Sequence, residues 1–440
     1  MNFQEALKIV DAAIYDRESR HLNDVELTIF RGSWEGRTYD EMAEDSQYKA
    51  NYLKGDVGHK FWNLLSEALG ERVSKSHFRE VVERSQSRFS YKDNVPIQSE
   101  NQEASGLNKY VPPSVEPFCQ EQILIPGALL RIKASPKMGK TLLMSRLINH
   151  ATNIGYKAVV LQLREAAQTN NLGSLDKFLQ WFCINIAQEL GLESPLEDKH
   201  WHNQFLDEQS KCTKYFENYL LKKDQLELVL GLDEVERIYE SPEVAKDFLS
   251  LLRSWHEKAK TSVIWKKLRL ILAYTEEYTL LDINRSPFNV GELIELQEFN
   301  SDQVKDLADR YGLKWDVNRE VKELMEMVGG HPYLVRKAIT YVKWQNKNLE
   351  TLLEMASTEA RIYSDLLQEH RWNLKKYPEL NRKLQEVVSA DSPIKLELDL
   401  ALKLYELGLV KLQENSVQPR CELYRLYFRS YFKEPLKDAQ

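Results

Sequence analysis

Five short apolar runs alternate with longer amphipathic segments between residues 110 and 299, and this alternation is the strongest constraint on the fold. Each run is apolar at nearly every position, as in a parallel strand buried on both faces. Segments 175–190 and 243–258 instead have the spacing of amphipathic helices. We therefore predict a doubly wound three-layer α/β/α domain with a parallel sheet. The predicted strands are residues 129–132, 158–163, 226–232, 268–274 and 293–296.

The segment that follows the first predicted strand, residues 134–141, has the spacing of a phosphate-binding loop. It matches G-x-x-x-x-G-K-[ST] except at its first position, where Ala134 replaces glycine. In such a loop, backbone N–H groups and a helix N-terminus surround the phosphates. We expect Lys140 to reach the β- and γ-phosphates and the Thr141 hydroxyl to bind Mg²⁺. The other residues of the predicted cradle are Ala134, Ser135, Pro136, Lys137, Met138 and Gly139.

Two acids at the end of the third predicted strand, Asp233 and Glu234, complete the pattern of a Mg–ATP site. Asp233 is the predicted metal ligand and Glu234 the predicted general base or water-orienting group. Acids at a strand end also cap helices, but together with the loop they indicate ATP and Mg²⁺ as cofactors. Thr275 follows the next strand and is either a contact to the γ-phosphate or a simple polar strand end.

A Gly-Gly pair at residues 329–330 separates two helical patterns, and Pro332 suits the first turn of the second helix. This turn has two interpretations. It is either a structural connection, or a part of the site in which His331 and Pro332 contact the adenine side. In the second case Arg336 projects a cation toward the phosphates from the following helix.

Residues 1–84 have helical patterns, with Gly36 in a turn and Thr38 at a helix N-cap, as in a helix-turn-helix. The segment contains twelve Lys or Arg and sixteen Asp or Glu residues, a net charge of −4. Since DNA affinity depends on neutralising phosphates, this balance favours a protein partner, with DNA as the alternative. The polar residues 85–109 are a predicted linker between this domain and the predicted ATPase domain of residues 110–299.

Two further domains are predicted after residue 299. Residues 300–346 have the pattern of a small helical bundle, or lid, which begins with a capping box formed by Asn300 and Gln303. Residues 347–440 contain helices and then two short strands around a polar turn between 406 and 419. This order indicates a C-terminal winged helix.

The bulk properties favour a cytoplasmic protein. The 440 residues carry a net charge of −7, and no apolar run approaches the ~20 residues of a membrane span. The first residues carry acids and lack the apolar core of a signal peptide. Four scattered cysteines have the pattern of free thiols in a reducing compartment; they are Cys119, Cys183, Cys212 and Cys421.

In these motifs the chain resembles the bacterial AAA-like domain family, within the STAND and archaeal-type relatives of AAA+ ATPases. Its first 84 residues resemble the N-terminal helix-turn-helix domain of vWA-MoxR-associated proteins. The first resemblance is carried by residues 129–146, 233–237, 248–257, 286–291, 329–335 and 419–424, and the second by residues 53–62 and 66–70. Alanine at the first loop position is typical of the AAA-like family.

The resemblance implies that the phosphate loop binds ATP and Mg²⁺ through Lys140, Thr141 and Asp233. It implies a signalling switch of bacterial conflict or defence systems, with slow turnover and nucleotide-dependent conformational change or self-association. We expect the N-terminal domain to recruit a protein. The alternatives are an ATP-controlled DNA-binding regulator and a scaffold that holds nucleotide without hydrolysing it.

Overall fold

In a computed structural model the chain divides into two compact units, Met1–Asn101 and Gln102–Gln440. The structure describes residues 6–14 except 8 and 12, then 22, 24–34, 36–44, 49–75, 77–89, 109–192, 201, 205–222, 227–277, 284–345, 348–356 and 362–433. Most of the predicted linker, residues 90–108, lies outside these ranges.

The described part of the first unit consists of helices joined by short turns. The described residues between 6 and 14 are helical. A π-helical turn at Tyr52–Gly58 continues directly into the helix that begins at His59. The helices are α1 (Asp24–Trp34), α2 (Tyr39–Glu44), α3 (His59–Leu69) and α4 (Phe78–Phe89). The last helix continues five residues past the predicted start of the linker.

The turn before α2 has the predicted cap. Gly36 has a φ of +79°, a left-handed conformation that glycine adopts without steric cost. The Thr38 hydroxyl accepts a hydrogen bond from the Glu41 N–H at 3.3 Å, and the Glu41 carboxylate accepts one from the Thr38 N–H at 2.6 Å. This reciprocal pair is a capping box, so the predicted helix start is confirmed.

A five-stranded parallel sheet forms the centre of the second unit, with the strand order β2-β3-β4-β1-β5. The strands are β1 (Leu129–Lys133), β2 (Lys157–Gln162), β3 (Leu228–Asp233), β4 (Leu268–Tyr274) and β5 (Glu292–Glu295). Every strand β1 to β5 lies within one or two residues of its predicted position. Because β4 lies between β1 and β3, the ends of these three strands meet at one edge of the sheet.

Helices cover both faces of this sheet. Alternate residues of β3 point to opposite sides, so that Leu230 joins one apolar cluster and Val229 another. The first cluster contains Phe182 and Phe248, and the second contains Leu143. The predicted three-layer architecture is therefore confirmed. The helices are α5 (Glu116–Gln122), α6 (Lys140–Asn153), α7 (Leu163–Gln168), α8 (Leu175–Glu189), α9 (Glu208–Tyr215) and α10 (Pro242–Ala259).

Among the described residues after 300, most are helical, and two strands form an antiparallel hairpin, β6 (Val410–Gln413) and β7 (Ser416–Pro419). One apolar cluster joins the segment predicted as a lid to the C-terminal helices: it contains Val304 and Leu334 as well as Leu404 and Phe428. The helices are α11 (Ser301–Arg310), α12 (Lys322–Val328), α13 (Pro332–Gln345), α14 (Leu349–Ala356), α15 (Ser364–Lys375), α16 (Pro378–Ser389), α17 (Leu398–Glu406) and α18 (Glu422–Lys433).

The local signals in this region have the predicted effects. Asn300 and Gln303 form a capping box at the start of α11, with hydrogen bonds of 2.9 and 3.1 Å. Pro332 is the first residue of α13. The four cysteines are buried and free. Within the described ranges, every helix is too short or too polar to cross a membrane.

Gly330 packs closely against Phe299, in the segment that follows the sheet. The Phe299 N–H donates a hydrogen bond to the Gly330 carbonyl oxygen at 2.8 Å. A Cβ added at Gly330 would lie only 2.0 Å from the Phe299 carbonyl oxygen. We expect Gly330→Ala to lower the free energy of unfolding by roughly 2–3 kcal/mol, measured by urea denaturation. Gly173→Ala is the control, since the nearest atom there is 3.9 Å away. Equal destabilisation by both substitutions would contradict the prediction.

Candidate functional site

The loop between β1 and α6 curls around its own lysine. Gly139, immediately before the helix, has a φ of +98°. The Lys140 ammonium is almost fully buried and donates hydrogen bonds to the carbonyl oxygens of Ala134 and Ser135, at 2.8 and 3.2 Å. It also donates to the Thr275 hydroxyl at 3.1 Å. The structure thus brings together the predicted phosphate-binding lysine and the polar residue at the end of β4.

Burial lowers the pKa of Lys140, and four carboxylates oppose that shift, those of Glu236, Asp233, Glu234 and Glu369. Glu236 also accepts a hydrogen bond from the Thr275 N–H at 3.2 Å. An anionic ligand in the loop would act in the same direction as these acids, because it stabilises the charged ammonium.

Thr141 and Asp233 meet at the edge of the sheet. The Thr141 hydroxyl donates to the Asp233 carboxylate at 2.6 Å, and the Gln162 amide donates to the same oxygen at 3.3 Å. The second carboxylate oxygen accepts from the Glu234 N–H at 2.9 Å. A hydroxyl and a buried carboxylate in contact fit Mg²⁺, which prefers oxygen ligands and retains waters and phosphate oxygens as well.

Glu234 is held by two arginines. Its backbone is left-handed, with a φ of +55°, which is uncommon for a residue other than glycine. Arg164, just after β2, donates to both carboxylate oxygens, and the contact from its Nε measures 2.7 Å. Arg237 Nε lies 3.3 Å from one of these oxygens. The carboxylate of the predicted general base is thus paired with two cations.

A cavity of about 370 Å³ lies beside the loop. Four stretches of chain line it: the segment before α5, the loop with the start of α6, the segment after β5 with α11, and the start of α13. Its lining residues include Lys109, Tyr110, Val111, Lys137, Met138, Gly139, Leu142, Arg146, Glu295, Leu296, Glu298, Phe299, Pro332, Tyr333 and Arg336. A lining of apolar side chains with more basic than acidic groups fits a planar organic ligand that carries negative charge.

Pro332 and Arg336 line this cavity, whereas His331 lies beneath the loop. His331 is almost completely buried and hydrogen bonds to the Pro136 backbone. Burial lowers its pKa well below the usual value, and the charge of Arg420 adds to this effect. The structure therefore separates two neighbours that the sequence analysis placed together.

A second buried histidine, His370 on α15, lies in the same region. Its Nε2 is 3.0 Å from the Tyr424 hydroxyl. Burial lowers its pKa to about 3, and the nearby charges of Lys137 and Arg420 act in the same direction. Burial and nearby cations thus disfavour the charged form of both histidines.

The C-terminal hairpin contacts the loop directly. Arg420, after β7, donates to the Ser135 hydroxyl at 2.9 Å and to the Glu298 carboxylate at 2.8 Å, and its Nη2 lies 3.3 Å from Met138 Sδ. Lys137 pairs with Glu369 of α15 at 3.1 Å. The loop therefore lies between the sheet and the C-terminal helices.

Four residues of the site escaped the sequence analysis: Arg164, Tyr110, Glu298 and Arg420. Arg164 had a usable signal, since it follows a predicted strand directly, as Glu234 does. Tyr110 lay at the edge of the predicted linker, and Arg146 stacks over its ring at 5.0 Å. Arg420 lies in residues 419–424, which carry part of the family resemblance, but no local pattern shows that it meets Ser135, 285 positions earlier in the chain.

The chain belongs to a family described as the AAA-like domain, whose model matches residues 99–430. A second family model, described as the vWA-MoxR associated protein N-terminal HTH, matches residues 1–85. Both resemblances inferred from the motifs are thereby confirmed. A search of curated proteins gives no match.

Two solved structures are similar to this chain. A Walker-type ATPase of Pyrococcus abyssi has 16% sequence identity and a TM-score of 0.53, over 73% of this chain and 99% of that chain. The ORC2 protein of Aeropyrum pernix, in ADPNP-ADP complexes, has 14% identity and a TM-score of 0.42, over 78% of this chain and 98% of that chain. The first similarity shows a common fold.

Acid should destabilise the second unit through its buried histidines. Unfolded histidine gains a proton near pH 6.5, whereas folded His370 stays neutral to about pH 3. The unfolded chain then binds more protons, so stability is full above about pH 6.5 and falls as the pH drops. At pH 5 His370 alone accounts for about 2 kcal/mol. His370→Gln should reduce the fall in melting temperature between about pH 7 and pH 5, and parallel curves would contradict this.

Proposed function

We propose that the chain binds ATP with Mg²⁺ and acts as a regulatory switch controlled by the bound nucleotide, with slow hydrolysis. The convergence of Lys140, Thr141 and Asp233 at one sheet edge, beside a cavity, is the observation that carries this proposal. The ends of three different strands, or the segments after them, supply these residues and Thr275. If they were merely polar residues at strand ends, there would be no reason for them to contact one another.

The site has a place for each part of the nucleotide. The loop from Ala134 to Gly139 would hold the phosphates, with Lys140 as the cation for the β- and γ-phosphates. Thr141 and Asp233 would hold Mg²⁺, which would supply charge neutralisation at the phosphates. The adenine would lie in the cavity beside Pro332, and Arg336, which also lines the cavity, would be a cation for the phosphates from α13.

Slow hydrolysis is supported by the pairing of Glu234. A general base needs access to the attacking water, and here Arg164 and Arg237 occupy its carboxylate. Hydrolysis requires this carboxylate to leave Arg164, while Thr275 contacts the γ-phosphate or the water. Slow hydrolysis suits a regulatory protein, because the ATP-bound state then lasts long enough for a partner to bind to it.

The switch requires contacts that differ between nucleotide states. The ion pairs that connect the region around the loop to the C-terminal helices are suited to this role: Lys133 lies 3.2 Å from Glu406, and Lys403 contacts Glu276. Each pair joins the edge of the sheet to α17. A change at the phosphates would thus reach the C-terminal segment, whose hairpin and preceding helices we interpret as a winged helix.

The partner that fits these modules is a protein, with DNA as the disfavoured alternative. The outward side of α17 carries Leu398, Leu402 and Tyr405, which are exposed and apolar, while its Lys403 is paired with Glu276. A helix that reads DNA needs cations on its exposed face. The net negative charge of residues 1–84 points the same way. We infer recruitment through the N-terminal module in a conflict or defence system, with nucleotide-dependent self-association.

Lys140→Ala tests nucleotide control. Loss of the ammonium should weaken Mg·ATP binding by roughly tenfold to a hundredfold, measured with a fluorescent ATP analogue, because charge-assisted hydrogen bonds are lost. Mass photometry with ATP, ADP and no nucleotide should then show a nucleotide-dependent change in assembly for the wild type and none for the variant.

Lys157→Ala, which removes an exposed lysine at the start of β2, is the matched control and should behave as the wild type in both measurements. Identical assemblies of the wild type in all nucleotide states would refute the switch. Unchanged ATP binding by Lys140→Ala would refute the site.

Glu234→Gln separates an ATPase from a nucleotide-holding scaffold. The substitution removes the base but keeps the side-chain size, so ATP should stay bound while phosphate release falls by roughly a hundredfold. Glu240→Gln, at the exposed end of the following turn, controls for the loss of a charge. Equal phosphate release from Glu234→Gln and the wild type would support the scaffold.

A further inference from the structure

Arg420 is a single side chain that contacts both walls of the candidate site. Its guanidinium is almost fully buried and reaches Ser135 in the phosphate loop and Glu298 after β5. It also lies against Met138. Met138 and Glu298 line the cavity, so two of the three partners of Arg420 would adjoin a ligand there.

The hairpin approaches the loop closely enough to need glycine. Gly408, between α17 and β6, has a φ of +76°. A Cβ at this position would lie 2.8 Å from the Ser135 Cβ and 3.2 Å from Arg420 Nη1. The Ser135 hydroxyl is also 3.4 Å from the Tyr405 carbonyl oxygen. The loop serine is thus enclosed by the end of α17, by Gly408 and by Arg420.

Glu298 fastens the hairpin at a second point. Its carboxylate pairs with Arg420 at 2.8 Å and with Lys411 of β6 at 2.9 Å. Two residues from different parts of the hairpin therefore hold one acid of the cavity wall. A guanidinium suits this position, because its planar group of donors can form hydrogen bonds in several directions at once. A lysine ammonium on a flexible side chain is less suited to this.

We propose that Arg420 couples nucleotide binding in the cavity to docking of the hairpin, residues 407–420, on the phosphate loop. The inference rests on the proposed function, since it takes the ligand to be a nucleoside di- or triphosphate. Arg420 is a positioning residue here: it acts through Ser135, Met138 and Glu298.

Charge gives the direction of this coupling. The docked guanidinium brings a positive charge to 2.9 Å from a loop side chain, and phosphates in the loop are anionic. Nucleotide should therefore bind more tightly when the hairpin is docked. By thermodynamic reciprocity, bound nucleotide must then favour the docked hairpin by the same factor.

The test measures both sides of this reciprocity in the full chain. Affinity for fluorescent ADP and ATP with Mg²⁺ is measured for the wild type, Arg420→Ala and Arg420→Lys, and amide hydrogen exchange of residues 407–420 is followed with and without nucleotide. In the wild type, nucleotide should slow exchange in the hairpin. In Arg420→Ala the affinity should fall by roughly tenfold, and hairpin exchange should become independent of nucleotide. Arg420→Lys should lie between the two.

Arg425→Ala is the matched control, because Arg425 follows the hairpin on α18 and bonds to Ala390 and Glu422 instead of the loop. It should match the wild type in affinity and in the nucleotide response. A merely structural role of Arg420 would change hairpin exchange equally with and without nucleotide, and this would overturn the proposal.

The outcomes also separate this inference from the proposed function. If the wild type binds nucleotide and both Arg420 variants respond as it does, the coupling is wrong and the site stands. If the wild type binds neither ADP nor ATP, both are wrong. Should Arg420→Ala melt at the measuring temperature, Arg420→Lys decides the question alone, and its wild-type behaviour in both measurements would refute the coupling.

Discussion

The burial of the Lys140 ammonium is the interaction on which the rest of the site depends. A buried charge must be paired and hydrogen-bonded, and here two loop carbonyls and the Thr275 hydroxyl surround it. The loop is consequently shaped around its own lysine before any ligand binds. An anion that enters the loop offers the ammonium new partners in place of these, and the surrounding carboxylates oppose the lowering of the Lys140 pKa by burial.

Strand order determines which residues can meet this lysine. The insertion of β4 between β1 and β3 places Thr275 next to the loop and Asp233 next to Thr141. In sequence these residues are far apart, and only parallel pairing brings their strand ends to one edge. Arg164, two residues after β2, lies at the same edge of the sheet, and it therefore pairs with the Glu234 carboxylate.

Much of the fold could be predicted because its signals are local. Apolar runs located the five strands, and capping residues such as Thr38 and Asn300 located helix starts to the residue. The core of the site was also accessible, because the spacing of a phosphate loop is itself local. Contacts made by long charged side chains were not. No pattern around Arg420 or Glu298 shows that they meet, since only the packed structure brings their segments together.

The apolar cluster shared by α11–α13 and the C-terminal helices limits how the molecule can move. Packed interiors resist deformation, so the helix that carries Arg336 and the hairpin that carries Arg420 are parts of one stiff body. Such a body has few internal degrees of freedom, so its parts keep their relative positions when one of them is displaced. A displacement of the hairpin is therefore also a displacement of α13, which contributes Pro332 and Arg336 to the cavity wall.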